Sequence, residues 1–384
     1  MSLFRRTDTS VLGHWWWTVD RWLLFAIAIL VMVGVVMSLS ASPAEADRMA
    51  LDSFHFVKRH GVFVAVGLAL MLAVSLAARE QVLLVAIAGF AIAYLLVIAT
   101  LLWGPERNGA TRWLSVAGFS LQPSEFLKPC VIVLSAALLS KWLLGRDVRA
   151  MRWSLALMAL VLAPLAMQPD IGQAGLLTAV WITQLFLAGL SLFWVVGLAG
   201  AGIAALVGAY LTLPYVAQRI HAFIEPAAVG GAPTQVSMAL DAFRYGGVFG
   251  RGPSEGEVKQ HLPDAYADYI FSVMGEEFGL AACLFLIGMF LIVVVRGLAR
   301  LLDEEDPFRL LAVAGLFVLL GLQAFINMGV NVGLLPPKGM TLPFVSYGGS
   351  SMLGTCLAMG FILALTRRRQ FGRAPLILPA RYRP

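Results

Sequence analysis

Charge is what this chain lacks. Asp, Glu, Lys and Arg make up 13% of its 384 residues, well below the about 25% usual in soluble proteins. Hydrophobic residues reach 60%, and the mean hydropathy is +0.83. The deficit is not spread evenly. It falls in uncharged runs of about 20 residues, the length that crosses a bilayer. Hydrocarbon offers an open backbone no partner, so such runs read as helices, and a soluble domain is excluded. Cysteine is scarce too: Cys130, Cys283 and Cys356 are the only three. Each sits in an apolar run, which excludes a disulfide framework, a cysteine metal cluster and a redox motif. The net charge of +6 lies mostly beside apolar runs, as expected for membrane-flanking loops, and no nucleic-acid partner is expected.

What is there is an all-α polytopic membrane pattern. Ten spans are expected, at about 22–40, 59–77, 82–103, 124–143, 153–168, 172–191, 193–215, 269–295, 307–330 and 346–366. Only Pro169-Asp170-Ile171 separates the fifth from the sixth, so these are expected as either a hairpin or two short tilted helices. Ala44-Glu45-Ala46 looks like a signal cleavage site, but the preceding run is longer than a signal core, and a retained first helix is expected. Asp306-Pro307 is a start signal, an N-cap carboxylate followed by proline at the first helical position. Most of the 28 Lys and Arg fall on the side that carries both termini, so both termini are expected to be cytoplasmic. The chain then divides into a cytoplasmic tail 1–21, a membrane domain 22–366 and a basic cytoplasmic tail 367–384.

One long polar interval, residues 216–268, lies between the seventh and eighth spans and is expected outside. It closes on Asp268, just ahead of Tyr269-Ile270-Phe271. An acid there reads either as a helix-start residue favoured by the macrodipole or as a general base at a membrane boundary, its pKa raised by partial desolvation. Glu276 and Glu277 lie deeper, and one of them is expected to face the interior paired with a cation.

Three further groups stand out. Glu125 and Lys128 are three apart on one helix face, and either neutralise each other or, with Lys128 and Arg112, meet an anionic headgroup. Arg219, at the start of the large loop, is an interfacial snorkelling residue or a phosphate contact. Residues Asn331–Ser351 carry too many prolines and glycines for a straight helix. That segment is expected as a structured loop dipping toward the bundle, with Gly348-Gly349 allowing close approach and Ser346, Ser350 and Ser351 supplying hydroxyls.

The run Lys338-Gly339-Met340-Thr341-Leu342-Pro343-Phe344-Val345-Ser346-Tyr347-Gly348-Gly349-Ser350-Ser351 resembles the hallmark of the SEDS family (shape, elongation, division and sporulation). Gly109–Leu114, Gln122–Lys128, Gln168–Gly172, Arg219 with Phe223 and Pro226, and Leu262–Gly279 resemble further family motifs in order. Two departures stand out. Tyr266-Ala267-Asp268-Tyr269 replaces the family's common His-Thr-Asp-Phe, and a Tyr-Gln pair is replaced around Ala232–Gln235.

The resemblance implies a ten-span peptidoglycan glycosyltransferase that polymerises lipid II on the outer face of the cytoplasmic membrane, working with a class B penicillin-binding protein transpeptidase. Lys338-Gly339-Met340-Thr341 is similar to the division branch rather than the elongation branch, which implies septal cell-wall synthesis beside other division proteins. The family's essential loop aspartate maps onto Asp268. On this reading Asp268 deprotonates the acceptor hydroxyl and the reaction inverts the anomeric centre. Arg112, Lys128, Arg219 and Lys338 would bind the pyrophosphate, with Glu125, Ser346 and Ser350 as further substrate contacts. No cofactor motif or metal-ligand cluster is legible; a divalent cation, magnesium or manganese, is the one addition this chemistry admits. Membrane lipid is the remaining partner. The rival readings are a lipid II flippase, an elongation-type polymerase and a scaffold without chemistry of its own.

Overall fold

The structure is a computed structural model that describes residues 10–106, 110–116, 118–145, 147, 149–224 and 234–367, without the side chains of Val11, Val116, Pro214, Tyr215, Arg219 and Ala222. All ten expected spans are helices. They are α2 (Arg21–Arg48), α3 (His55–Ser75), α4 (Arg79–Trp103), α5 (Ser124–Leu143), α6 (Ala150–Met167), α7 (Ile171–Leu187), α8 (Leu192–Thr212), α11 (Ile270–Ala299), α12 (Pro307–Asn331) and α13 (Gly349–Leu365). Eight are long and apolar enough to cross a membrane, while α7 and α13 are shorter. A short helix α1 (Val11–Thr18) precedes them, and α9 (Pro214–Ile224) and α10 (Gln235–Gly246) lie in the large loop. The fifth and sixth spans are separate helices. The first continues through Pro43 and the cleavage-like Ala44-Glu45-Ala46 to Arg48.

The centre of the bundle is α5, α12 and α13. From Ser350 to Leu365 every α13 residue except Leu353 is buried, as expected of a helix apolar all round. Gly349 starts that helix where a β-carbon would stand 2.5 Å from the Phe63 ring of α3, so the close approach expected there is real. At the opposite extreme, α8 has no buried residue.

Polar contacts sort the bundle into two ends. At one end Asp20 caps α2 and meets Arg300 at 2.8 Å, Asp306 caps α12 and meets Arg79 at 3.1 Å, and Arg367 donates to the Leu76 and Ala77 carbonyls. At the other end lie the connectors rich in proline, glycine and acid. There the chain forms a β-hairpin, β1 (Leu114–Val116) with β2 (Phe119–Leu121), antiparallel with Ser115 opposite Ser120. Neither this hairpin nor α10 is signalled by a long apolar run.

Candidate active site

A cleft of about 670 Å³ opens at the connector-rich end. Its walls come from the start of α3, the β-hairpin, the foot of α5, the segment before α11 and the Pro336–Ser351 loop. Asp268 lies in it beside Gly339, whose β-carbon position is 3.6 Å from Asp268 Oδ2. Two asparagines set the aspartate's place. Asn327 and Asn331 are one turn apart on α12, and each side-chain NH2 donates to the Asp268 carbonyl at 2.9 Å. Asn327 also donates to the Met340 carbonyl at 2.6 Å, and Asn331 Oδ1 accepts from Ser272 N and Oγ at 3.0 and 2.7 Å. One helix face thus fixes the aspartate loop, the start of α11 and the proline-rich loop together. Asn327 was not singled out from the sequence, and Asn331, expected only as the first residue of the proline-rich loop, closes α12.

Asp268 is half-buried in the cleft wall, and the protein crowding round it strips water from its carboxyl. Desolvation, reinforced by the neighbouring Asp264 carboxylate, pushes its pKa up to about 7. A carboxylate poised there can take a proton near neutral pH.

The cations divide. Arg112 and Lys338 line the cleft. Arg112 is aimed by its fork, Nη2 donating to the Pro169 carbonyl at 2.6 Å and Nη1 lying 3.6 Å from Asp170, while its buried Nε has no partner among the described residues. Lys128 lies beneath the cleft, 2% exposed. Its three N–H groups reach Glu125 at 2.9 Å, Gln173 at 2.9 Å and Gln323 at 3.3 Å, so its donors are used within the protein. Glu125 links it to the cleft, whose floor it lines. The side chain of Arg219 on α9 lies outside the described residues. A further cation, Arg59, lines the cleft without having been singled out from sequence. It donates to the Gly118 carbonyl at 2.9 Å and sits 4.9 Å from the Phe119 ring.

The hydroxyls divide as well. Ser350 lines the cleft and accepts from Gln122 N at 2.9 Å. Ser346 is 3% exposed and accepts from Leu342 N at 2.8 Å, so it braces the turn around Phe344. The deeper acids are both engaged. Glu277 pairs with Lys259 and accepts from Ser40, as expected for a buried carboxylate. Glu276 accepts from the backbone N–H groups of Glu257, Val258 and Lys259 at 2.8, 2.8 and 3.2 Å. Tyr266, where the SEDS motif commonly has histidine, packs its ring 4.8 Å from Phe56 and 5.2 Å from Tyr347.

The model of the FtsW/RodA/SpoVE family, described as cell cycle protein, matches residues 21–370. A probable peptidoglycan glycosyltransferase FtsW of Caulobacter vibrioides is 44% identical over 368 residues, covering 95% of this chain and 94% of the relative. One from Geobacter metallireducens is 37% identical, covering 90% and 94%. Among solved structures, a chain of a peptidoglycan synthase complex that coordinates polymerization and crosslinking superimposes with a TM-score of 0.74 at 25% identity, covering 91% of this chain and 97% of that one. The rod shape determining protein RodA of Thermus thermophilus gives a TM-score of 0.67 at 26% identity with the same coverage. The family's pattern thus runs through the helices that build the cleft, and this chain belongs to the FtsW/RodA/SpoVE cell cycle protein family as a multi-pass membrane protein.

Proposed function

We propose that this chain is a peptidoglycan glycosyltransferase that polymerises lipid II into β-1,4 glycan on the outer face of the cytoplasmic membrane, as a division-branch member of its family. The observation that carries this is Asp268, a carboxyl with its pKa raised to about 7 in the same cleft as Arg112 and Lys338. Asp268 takes the proton of the acceptor sugar hydroxyl as that oxygen attacks the donor anomeric carbon. The carbon–oxygen bond to the diphosphate breaks, and the configuration inverts. A diphosphate leaves without needing a general acid, so Arg112 and Lys338, with Arg59 as a third cation, offset the negative charge that grows on it. Lys128 acts from below as a positioning residue, holding Glu125 at the cleft floor. Among the described residues no three His, Cys, Asp or Glu side chains gather to hold a metal, and no step of this mechanism runs through one.

The FtsW names of the relatives support the division branch and a septal location. The synthase-complex neighbour supports a crosslinking transpeptidase of the class B penicillin-binding type as partner. The arginine-rich end then faces the cytoplasm with both termini.

The test supplies lipid II to the purified, reconstituted protein, with and without its transpeptidase, and reads glycan length alongside headgroup translocation. Glycan without translocation is expected. Translocation without glycan would favour the flippase, and neither product would favour the scaffold.

A further inference from the structure

The α11 helix is broken. At Gly279 the backbone takes φ 76 and ψ −175, a conformation essentially confined to glycine. In an unbroken helix the N–H groups of Leu280 and Ala281 would donate to the carbonyls of Glu276 and Glu277. Here a turn from the large loop takes over all four groups. Arg251 N donates to Glu276 O at 3.0 Å and Gly252 N to Glu277 O at 3.0 Å. Leu280 N donates to Gly247 O at 3.0 Å and Ala281 N to Val248 O at 3.2 Å. The approach is so close that a β-carbon on Gly250 would stand 2.1 Å from Glu277 O, and one on Gly279 2.4 Å from Gly250 N.

This patch fixes the depth of the turn. Gly279 lies roughly 13 Å along the helix from its start at Ile270, at 1.5 Å per residue. Of residues Ile270–Gly279 all but Phe278 are buried by protein. The exposed apolar face of α11 begins immediately after, with Leu280 51%, Leu284 57% and Phe285 50% exposed. The turn therefore ends where the lipid-facing surface of a membrane span begins. At that level it presents Tyr245, Val248 and Phe249, which are 58%, 56% and 86% exposed. Apolar side chains so exposed mark a contact surface when they cluster, and this cluster continues the apolar face of α11. Its polar neighbours are engaged with partners beside the turn. Arg251 pairs with Glu257 at 3.2 Å and lies 4.9 Å from the Tyr245 ring, and Arg244 pairs with Asp241 at 3.0 Å.

We propose that the turn Tyr245–Gly252 is a membrane-dipping anchor whose Tyr245, Val248 and Phe249 side chains insert among the lipid acyl chains of the leaflet on the cleft side. It is tied through the Glu276 and Glu277 backbone to the residues whose side chains hold the 257–259 turn. The anchor thereby holds the segment leading to Asp268 at a fixed height over the bilayer. Its test reads depth and not catalysis, so it stands or falls apart from the proposed function.

Nitroxide labels are placed by Phe249→Cys, by Leu284→Cys on the lipid face of α11, and by Asp241→Cys on the polar side of α10, each in the full chain in liposomes. The unsubstituted protein, whose three cysteines are buried, is the labelling blank. The ratio of oxygen to nickel-chelate collisions at position 249 is expected to fall somewhat below position 284, which lies about one turn deeper, and to exceed position 241 severalfold. A ratio at 249 equal to that at 241 would place the turn in water and overturn the proposal. Shielding from both reagents would mean that protein covers the patch, and would overturn it equally. If the label disturbs folding, Phe249→Trp replaces it. Quenching of the added fluorescence by lipids brominated along the acyl chain is then expected, and its absence counts against the anchor.

Discussion

Asp268 is held by its backbone and not by its side chain: its carbonyl is tied by Asn327 and Asn331, while its carboxyl is left to the cleft. The ties cost the carboxyl nothing in basicity, and the crowding raises its pKa. That has a stability signature with a definite sign. A folded-state pKa of about 7 against an ordinary 3.8 means the unfolded chain ionises first as pH rises. Asp268 therefore destabilises the fold progressively between pH 4 and pH 7, and the penalty is complete above it. Asp268→Asn, which is never charged, is expected to melt higher than wild type at pH 7.5, with the gap closing as pH falls toward 4. A gap that does not change with pH would mean that the carboxyl is not shifted. The aspartate was legible in the sequence because it closes the one long polar interval and matches the SEDS motif there; its place ahead of an apolar run does not by itself mark it, since Asp20 and Asp306 stand the same way. The asparagines were not, since an amide pair near the end of an apolar helix does not say which loop it will hold.

At the scale of elements, three helices meet at one buried charge. Lys128 of α5 is tied to Gln173 of α7 and Gln323 of α12, and Gln323 reaches on to the Thr341 carbonyl at 3.3 Å. The spacing of Glu125 and Lys128 revealed the pair, but whether it would face headgroups or the interior depended on helices far away in sequence. Lys128→Met leaves the Glu125 carboxylate buried without its cation, a change that costs about 3–5 kcal/mol. The protein is expected to melt well below wild type, and adding Glu125→Gln in the same chain is expected to restore most of the loss. Equal melting of single and double variants would show that the pair is not coupled. The hairpin and α10 escaped the sequence for a different reason. Their residues pack against the cleft and α11 instead of forming apolar runs, so hydropathy carries no trace of them, and the break in α11 hid inside a stretch expected as one continuous span.

For the whole molecule, the ten expected helices were legible because bilayer thickness sets the length of most of them, eight being long and apolar enough to cross, and the two-ended sorting of charge because short loops carry it. The sequence could not show how the ends cooperate. The arginine-rich end locks helix termini by ion pairs, while the opposite end gathers residues from Phe56 to Ser351 into one cleft. That separation favours chemistry at one face over passage between the two. The most direct measurement is glycan formation from lipid II by the reconstituted complex, comparing wild type with Asp268→Asn at matched folded protein. Loss of a positioned general base predicts a rate about 10²–10⁴-fold lower with the transpeptidase still bound. Polymerisation by Asp268→Asn at the wild-type rate would contradict the account and leave Asp268 a structural residue.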